Sequence, residues 1–249
     1  MSNVIDAPMG PHRAAFDEHA ERHDGWYLAN PIVLQSQLLL VKAALGTSPG
    51  RTLSVGCGSG LFEWLLRRDH GITIDEAVEP SNAMAAVARM RGLNVHLGAA
   101  ESLPMGAETF DTVLLNGTAS YLARLEQALI DAHRVLRSDG FIVMADVPRE
   151  SAYALIHELA LCRGGWTHAS FLGVAPRSPY PLDQTTPVHW RTTPEKAKIL
   201  EATGFVGLHF LQTLTRHPVY ANDSVEEPSL GYDRGGYVAI IAKKPRRAA

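Results

Sequence analysis

Apolar runs and amphipathic stretches alternate along this 249-residue chain from about residue 52 to residue 146. Thr52 to Val55 reads as a short buried strand, and Leu61 to Arg68 as a helix. Ile72 to Val78 contains the next strand, and Ser81 stands where it can N-cap a helix running to about Arg91. Leu93 to Leu97 and Phe110 to Leu115 predict a third and a fourth strand. Leu122, Leu125, Leu129, Ala132 and Leu136 recur at three and four residues, the apolar face of a helix lying on a sheet. Ser138-Asp139-Gly140 predicts a turn, and Phe141 to Ala145 a fully buried fifth strand. Continuous apolar strands between amphipathic helices predict a parallel sheet covered on both faces.

The flanks differ. Pro11 to Asp24 and Pro31 to Leu45 predict a helical preface, ended by the breaker cluster Gly46-Thr47-Ser48-Pro49-Gly50. After Asp146 a helix from about Arg149 to Cys162 leads into a stretch holding Gly164, Gly165, Pro176, Pro179, Pro181 and Pro187. A loop of that length inside a compact domain suits a lid or binding segment. Pro194 starts another helix to Ala202, closed by Gly204, and Phe205 to Leu211 and Gly236 to Ala242 predict a terminal strand pair. Thr213 to Arg234 between them is polar and loop-like. One domain is expected, with a helical cap over 1–48, a cofactor-binding core over 49–147 and a substrate-side half over 148–249. That last half carries lid loops over 163–193 and 213–234.

Composition narrows the partners. A net charge of −3 argues against a polyanion binder, and the cluster Lys243, Lys244, Arg246 and Arg247 reads as a solvated tail. No apolar stretch reaches the length of a membrane span, because Gln35, Ser36, Gln37 and Lys42 interrupt the longest one. Nothing resembles a secretory signal, and Cys57 and Cys162 make neither a disulfide framework nor a zinc site. A cytoplasmic protein with no metal, no membrane and no nucleic-acid partner is the expectation; oligomeric state is not legible.

The chemistry centres on Leu53-Ser54-Val55-Gly56-Cys57-Gly58-Ser59-Gly60, followed by Glu79. A strand ending in alternating glycines, a helix, and a second strand ending in a carboxylate build a pocket for a nucleoside-bearing cofactor. A dinucleotide fingerprint wants a small residue at position 61, where this chain has Leu61. The spacing therefore favours S-adenosylmethionine, with S-adenosylhomocysteine as product, over NAD. Glycines at 56, 58 and 60 let a ligand meet the backbone where a Cβ would clash. The helix N-terminus beyond them suits a carboxylate.

These residues, with Ala99-Ala100-Glu101-Ser102-Leu103-Pro104 and Asn116-Gly117-Thr118, resemble the class I S-adenosylmethionine-dependent methyltransferases. The small-molecule "type 11" group is the one they resemble most. The resemblance covers roughly Arg51 to Ala145 well and the remainder loosely. It implies an α/β fold: a Rossmann-like seven-stranded, mostly parallel sheet with an antiparallel last strand, flanked by helices, with a helical cap and a lid insertion. It also implies cofactor contacts from Ser54, Gly56, Cys57, Gly58, Ser59 and Gly60, and a ribose acceptor in Glu79. Pro80 and Met84 would lie about the ribose and adenine, and Ala100, Glu101 and Ser102 at the adenine edge. Leu115 and Asn116 would neighbour the transferred methyl. Trp26 and Tyr27 fall in the cap, and Thr118, Tyr121, His189 and His217 are candidates to face substrate. In this family an aspartate or glutamate is usual at position 54, so Ser54 offers no charge to the cofactor's ammonium group.

Methyl transfer from a sulfonium is an in-line displacement that needs alignment and dryness more than acid–base groups. A base is required only when the acceptor must shed a proton, and His189, His217, Tyr220 and His23 lie where one could sit. No Asn-Pro-Pro-Tyr, Asp-Pro-Pro-Tyr or Pro-Cys sequence follows strand four, which argues against DNA adenine and cytosine C5 as acceptors. The lid aromatics Trp166, Phe171, Tyr180 and Trp190 suit an apolar or planar small molecule, or simply lid packing. Two other readings stay open at this point: an NAD(P)-dependent oxidoreductase, and a non-catalytic S-adenosylmethionine-binding protein.

Overall fold

The structure is a computed structural model that describes residues 23–184 and 188–246. Of the helix predicted from Pro11, everything before His23 lies outside the described residues, as do Pro187 and Arg247. A helix α1 (His23–Ala29) meets α2 (Pro31–Leu45) at a bend of 101°. The bend falls at Asn30, and Pro31 suits the first turn of α2 because that position donates no intrahelical hydrogen bond.

The core then alternates as the apolar pattern predicts: β1 (Thr52–Val55), α3 (Leu61–His70), β2 (Glu76–Glu79), α4 (Asn82–Met90), β3 (Val95–Leu97) and β4 (Phe110–Asn116). A short 3-10 turn over Ala119–Tyr121 precedes α5 (Leu125–Val135) and β5 (Leu136–Asp146). Ser81 caps α4, its hydroxyl accepting from the Met84 amide at 3.1 Å. After α6 (Ala152–Cys162) and α7 (Thr193–Ala202) come β6 (Val206–Thr213), β7 (Ser229–Leu230) and β8 (Tyr237–Lys243). A capping box starts α7, with Thr192 and Glu195 satisfying each other's amides.

All eight strands form one sheet in the order β3-β2-β1-β4-β5-β8-β6-β7. The first five pair in parallel, and β8 runs antiparallel between β5 and β6. One strand exceeds the expected seven: the two-residue β7 in the segment read as loop, which pairs with Leu211 and Gln212. The turn expected at Ser138-Asp139-Gly140 lies inside β5. Asp139 takes φ +65° there, and the pairing with β4 shifts register between Phe110 and Thr112. The strand therefore begins at Leu136 and bulges where a turn was expected.

Helices cover both faces. Phe110, Leu125, Leu129, Leu136, Leu200 and Phe205 pack one side of the sheet, and Leu38, Leu40, Leu61, Leu66, Leu114 and Val143 the other. Asp146, at the end of β5, pairs with Lys196 of α7 at 3.1 Å, with only 6% and 4% of the two side chains exposed. Ser120 also donates to Asp146, at 2.7 Å. Removing one partner of a buried pair leaves an uncompensated charge. Lys196→Met is expected to lower the unfolding free energy by about 3 kcal/mol, read from urea denaturation monitored by circular dichroism.

Candidate functional site

The strand ends of β1, β2, β4 and β5 open into a cavity of about 690 Å³. One wall is the glycine loop. Gly56, Gly58 and Gly60 all take positive φ, at +72°, +55° and +72°. A Cβ on Gly56 would come within 2.7 Å of the Thr118 hydroxyl, so position 56 admits no side chain without displacing that residue. The Thr118 hydroxyl lies against the Val55 and Gly56 carbonyls, at 3.1 and 3.2 Å, holding the loop to the end of β4. Glu79 is buried, and its two carboxylate oxygens accept from the Gly58 and Ser81 amides, each at 2.9 Å. The carboxylate thus ties the loop after β1 to the end of β2.

Of the residues expected to contact cofactor, Gly56, Cys57, Gly58, Ser59, Glu79, Pro80, Met84, Ala100, Glu101 and Asn116 line this cavity. Ser54, Gly60, Ser102 and Leu115 do not. Ser54 is buried behind the loop and donates to Glu63 at 2.6 Å. Gly60 turns its backbone into the start of α3. Leu115 points into the core under α5, because side chains alternate along β4 and Asn116 takes the cavity side. Among the candidates for substrate, Trp26, Tyr27, Thr118 and Tyr121 line the cavity. His189 and His217 do not. The His189 amide donates to the Ser120 carbonyl at 2.7 Å, stitching its segment to the turn after β4. The His217 Nδ1 instead accepts from the Val219 amide and caps a 3-10 turn.

The cap is fastened over the cavity by charge and by amide groups. Asp24 of α1 accepts from the Ser59 hydroxyl at 2.5 Å and pairs with Arg91 at 2.6 Å, and Arg91 also donates to the Ser59 carbonyl at 2.8 Å. Burial pushes the Asp24 carboxyl up, but the hydrogen bonds from His23, Ser59 and Arg91 and the Arg91 charge outweigh it and hold the group below its ordinary 3.8. Asn30, fully buried at the bend, donates to Ser178 at 3.0 Å and accepts from Asn222. Both segments read as lids therefore meet the cap at one residue. Trp26 adds a bond from its indole to the Ser178 carbonyl at 3.2 Å.

Away from the glycines the cavity is walled by rings. Trp26 stands edge-on to Tyr27 and Tyr180, with centroids 5.1 and 4.9 Å apart, and His157 of α6 stands edge-on to Trp166 and Trp190. The Tyr237 hydroxyl donates to Asn116 Oδ1 at 2.8 Å. Burial pushes the hydroxyls of Tyr27, Tyr121 and Tyr237 well above the ordinary tyrosine range, so all stay protonated. Burial lowers His157 to about 4, leaving its ring neutral at physiological pH.

Several of these residues are missed by sequence reasoning. Asn30 at the bend, and Val33, Gln37 and Glu63 from helices whose visible pattern is only apolar periodicity, line the cavity. His157 sits on the inner face of α6, between residues that read as helix core. The one available signal was polar residues at otherwise apolar positions of α2 and α3.

Comparison with known proteins agrees with this geometry. Residues 53–144 match the family described as "Methyltransferase domain". The chain is 28% identical to an S-adenosylmethionine-dependent methyltransferase of Thermotoga maritima, described as a possible histamine N-methyltransferase. The two structures superpose with a TM-score of 0.78 over 93% of this chain and 99% of that one. An uncharacterized protein of Methanocaldococcus jannaschii is 28% identical over 92% of this chain and 98% of its own. A malonyl-[acyl-carrier protein] O-methyltransferase of Geobacter sulfurreducens is 32% identical over 53% of this chain and 51% of its own. The fold and the glycine-loop site define a class I S-adenosylmethionine-dependent methyltransferase. The matched segment is of the type 11 methyltransferase group, and S-adenosylmethionine is the cofactor expected for that family. No single helix among the described residues is long and apolar enough to cross a membrane.

Because the Asp24 carboxyl is held below its ordinary value, the stability it lends is complete above about pH 4 and is lost as pH falls through the depressed folded value. Asp24→Asn is expected to flatten the acid limb of a urea-midpoint profile below pH 4 and to lower the midpoint at pH 7. An unchanged profile counts against the clasp between α1 and the loop.

Proposed function

We propose that this protein transfers the methyl group of S-adenosylmethionine to a small-molecule acceptor held at the aromatic end of the cavity. One observation carries the reading: the glycine loop and the aromatic walls line a single cavity of about 690 Å³. That volume falls within the usual range for small-molecule sites, roughly 300–1,000 Å³. When bound, S-adenosylmethionine would supply a sulfonium methyl carbon open to in-line attack by an acceptor, with the neutral thioether as leaving group. Gly56, Cys57, Gly58 and Ser59 present backbone to the amino-acid end. Glu79 accepts from the ribose hydroxyls, exchanging part of its bonding to the Gly58 and Ser81 amides. Pro80 and Met84 give an apolar floor, Ala100 and Glu101 meet the adenine edge, and Asn116 lies toward the methyl.

The acceptor half is built by the cap and the segments after β5, so the division at about residues 48 and 147 is also a division of labour. Trp26, Tyr27, Tyr121, Tyr180, Trp166 and Trp190 exclude water and orient a flat, largely apolar acceptor. His157, held neutral by burial, adds an uncharged ring to the same wall. The description of the Thermotoga relative, which names a small planar amine, supports an acceptor of this size. The net charge of −3 favours a metabolite in the cytoplasm over a nucleic acid.

Glu79→Ala removes a buried carboxylate with two backbone partners. It is expected to weaken S-adenosylhomocysteine binding more than tenfold, about 1.4 kcal/mol or more, measured by titration calorimetry. Incubation with methyl-labelled S-adenosylmethionine and a pooled metabolite extract is expected to move label into a small-molecule fraction. Label retained wholly on the cofactor, with binding intact, would favour a protein that holds S-adenosylmethionine without transferring its methyl.

A further inference from the structure

Glu63 stands on the first turn of α3, three residues after Gly60, and is 4% exposed. One carboxylate oxygen, Oε1, accepts from the Ser54 hydroxyl at 2.6 Å. The other, Oε2, is buried with no hydrogen-bond partner. Gln37 of α2, 5% exposed, presents a second acceptor in the same condition: its carbonyl Oε1 is also buried and without a partner. Both side chains line the cavity beside the glycine loop. Buried polar atoms are nearly always satisfied, so two orphaned acceptors on one wall require an account. Acceptors without donors call for a ligand that brings N–H groups, and a carboxylate among them calls for a cation.

The cofactor has one such group, the ammonium of its amino-acid end, which carries three donors and a positive charge. Position 54, where the resemblance to class I methyltransferases implies an acidic residue, holds Ser54 in this chain. We propose that Glu63, with the Gln37 carbonyl, holds the cofactor's ammonium group, so that the carboxylate missing from β1 is supplied from α3. Ser54 then acts as a positioning residue, fixing Glu63 Oε1 and leaving Oε2 without a protein partner. Burial pushes the Glu63 carboxyl up, while the Ser54 hydroxyl, the Glu63 amide and the more distant Arg91 act against it. A buried acid short of donors is in the state that an arriving ammonium would relieve. The glycine loop fits the adjoining carboxylate, since Gly58 and Ser59 lie at the start of the same turn.

This assignment rests on the reading that the glycine-loop end of the cavity takes the cofactor, and the test separates the two. S-adenosylhomocysteine and 5′-methylthioadenosine share adenine, ribose and thioether, but only the first has the ammonium. Both are titrated calorimetrically against the full chain and its variants. Glu63→Gln, which keeps shape and the bond to Ser54, is expected to weaken S-adenosylhomocysteine at least tenfold and to leave methylthioadenosine within twofold. Glu79→Ala is expected to weaken both. Adding Ser54→Asp to Glu63→Gln returns a carboxylate to β1 and is expected to recover most of the lost affinity. Equal losses for the two ligands in Glu63→Gln, or an unchanged affinity for S-adenosylhomocysteine, overturn the role of Glu63. Failure of the unaltered protein to bind either ligand overturns the placement of the cofactor, and the assignment of Glu63 with it.

Discussion

The site depends on one carboxylate bridging two backbone turns. Glu79 ends β2 and accepts the Gly58 amide from the loop after β1 and the Ser81 amide from the start of α4. Three positive-φ glycines would otherwise leave that loop with many conformations, since glycine restrains its backbone least. A buried ion that must find donors removes the freedom, because the Gly58 amide is one of the few within reach. The same residue sets where α4 begins, and so where Met84 meets the cavity. Thr118 completes the frame from the opposite side, filling the space that a side chain at position 56 would need.

The two helices of the cap are held differently: α1 is fastened to this frame, and α2 packs on the sheet beneath through Leu38 and Leu40. Asp24 reaches the Ser59 hydroxyl and Arg91, so the loop that meets the ligand also anchors the helix that covers it. Asn30 gathers Ser178 and Asn222 at the bend between α1 and α2. The two long segments after β5 thereby share one anchor in Asn30, to which Trp26, Val33 and Ser36 add further bonds from the cap. Asn30 is a partner common to all three covers, and the two lids also meet directly through the Arg177–Asp223 ion pair at 3.0 Å.

The donor half of the molecule was legible because its signals are local. Alternating glycines, a carboxylate ending the next strand and Ser81 before α4 lie within thirty residues, from Gly56 to Met84, and each has a short-range mechanism. The alternation of strands and helices and the apolar faces followed from periodicity, and the antiparallel last strand from the family resemblance. The acceptor half was not legible, because its walls come from distant segments that only the tertiary fold brings together. His157 looked like core of α6, and Gln37 like a polar interruption of α2. His189 and His217 were candidates by residue type, yet the His189 amide and the His217 ring are committed to local backbone bonds. The small strand at Ser229–Leu230 escaped because two exposed residues carry no alternation to read. Asp139 adopts the left-handed backbone a turn would need, but the neighbouring strands keep their pairing across it.

Sequence likeness divides along the same boundary as function. The family match ends at residue 144, just before Asp146 closes β5, and everything that walls the aromatic end apart from the cap and the turn after β4 lies beyond it. A carboxylate that serves the cofactor is needed whatever the acceptor, but it need not stay on one strand. Ser54 and Glu63 are hydrogen-bonded neighbours, so a charge moved from the first position to the second travels only the width of a strand–helix contact. The Ser54 hydroxyl and the Glu63 carboxylate form a matched donor and acceptor across that contact. A hydrophobic residue at 54 would leave the Glu63 carboxylate with both oxygens orphaned, and burial would then favour its neutral form. The serine at position 54 therefore works against burial and favours the charged form of the acid at position 63.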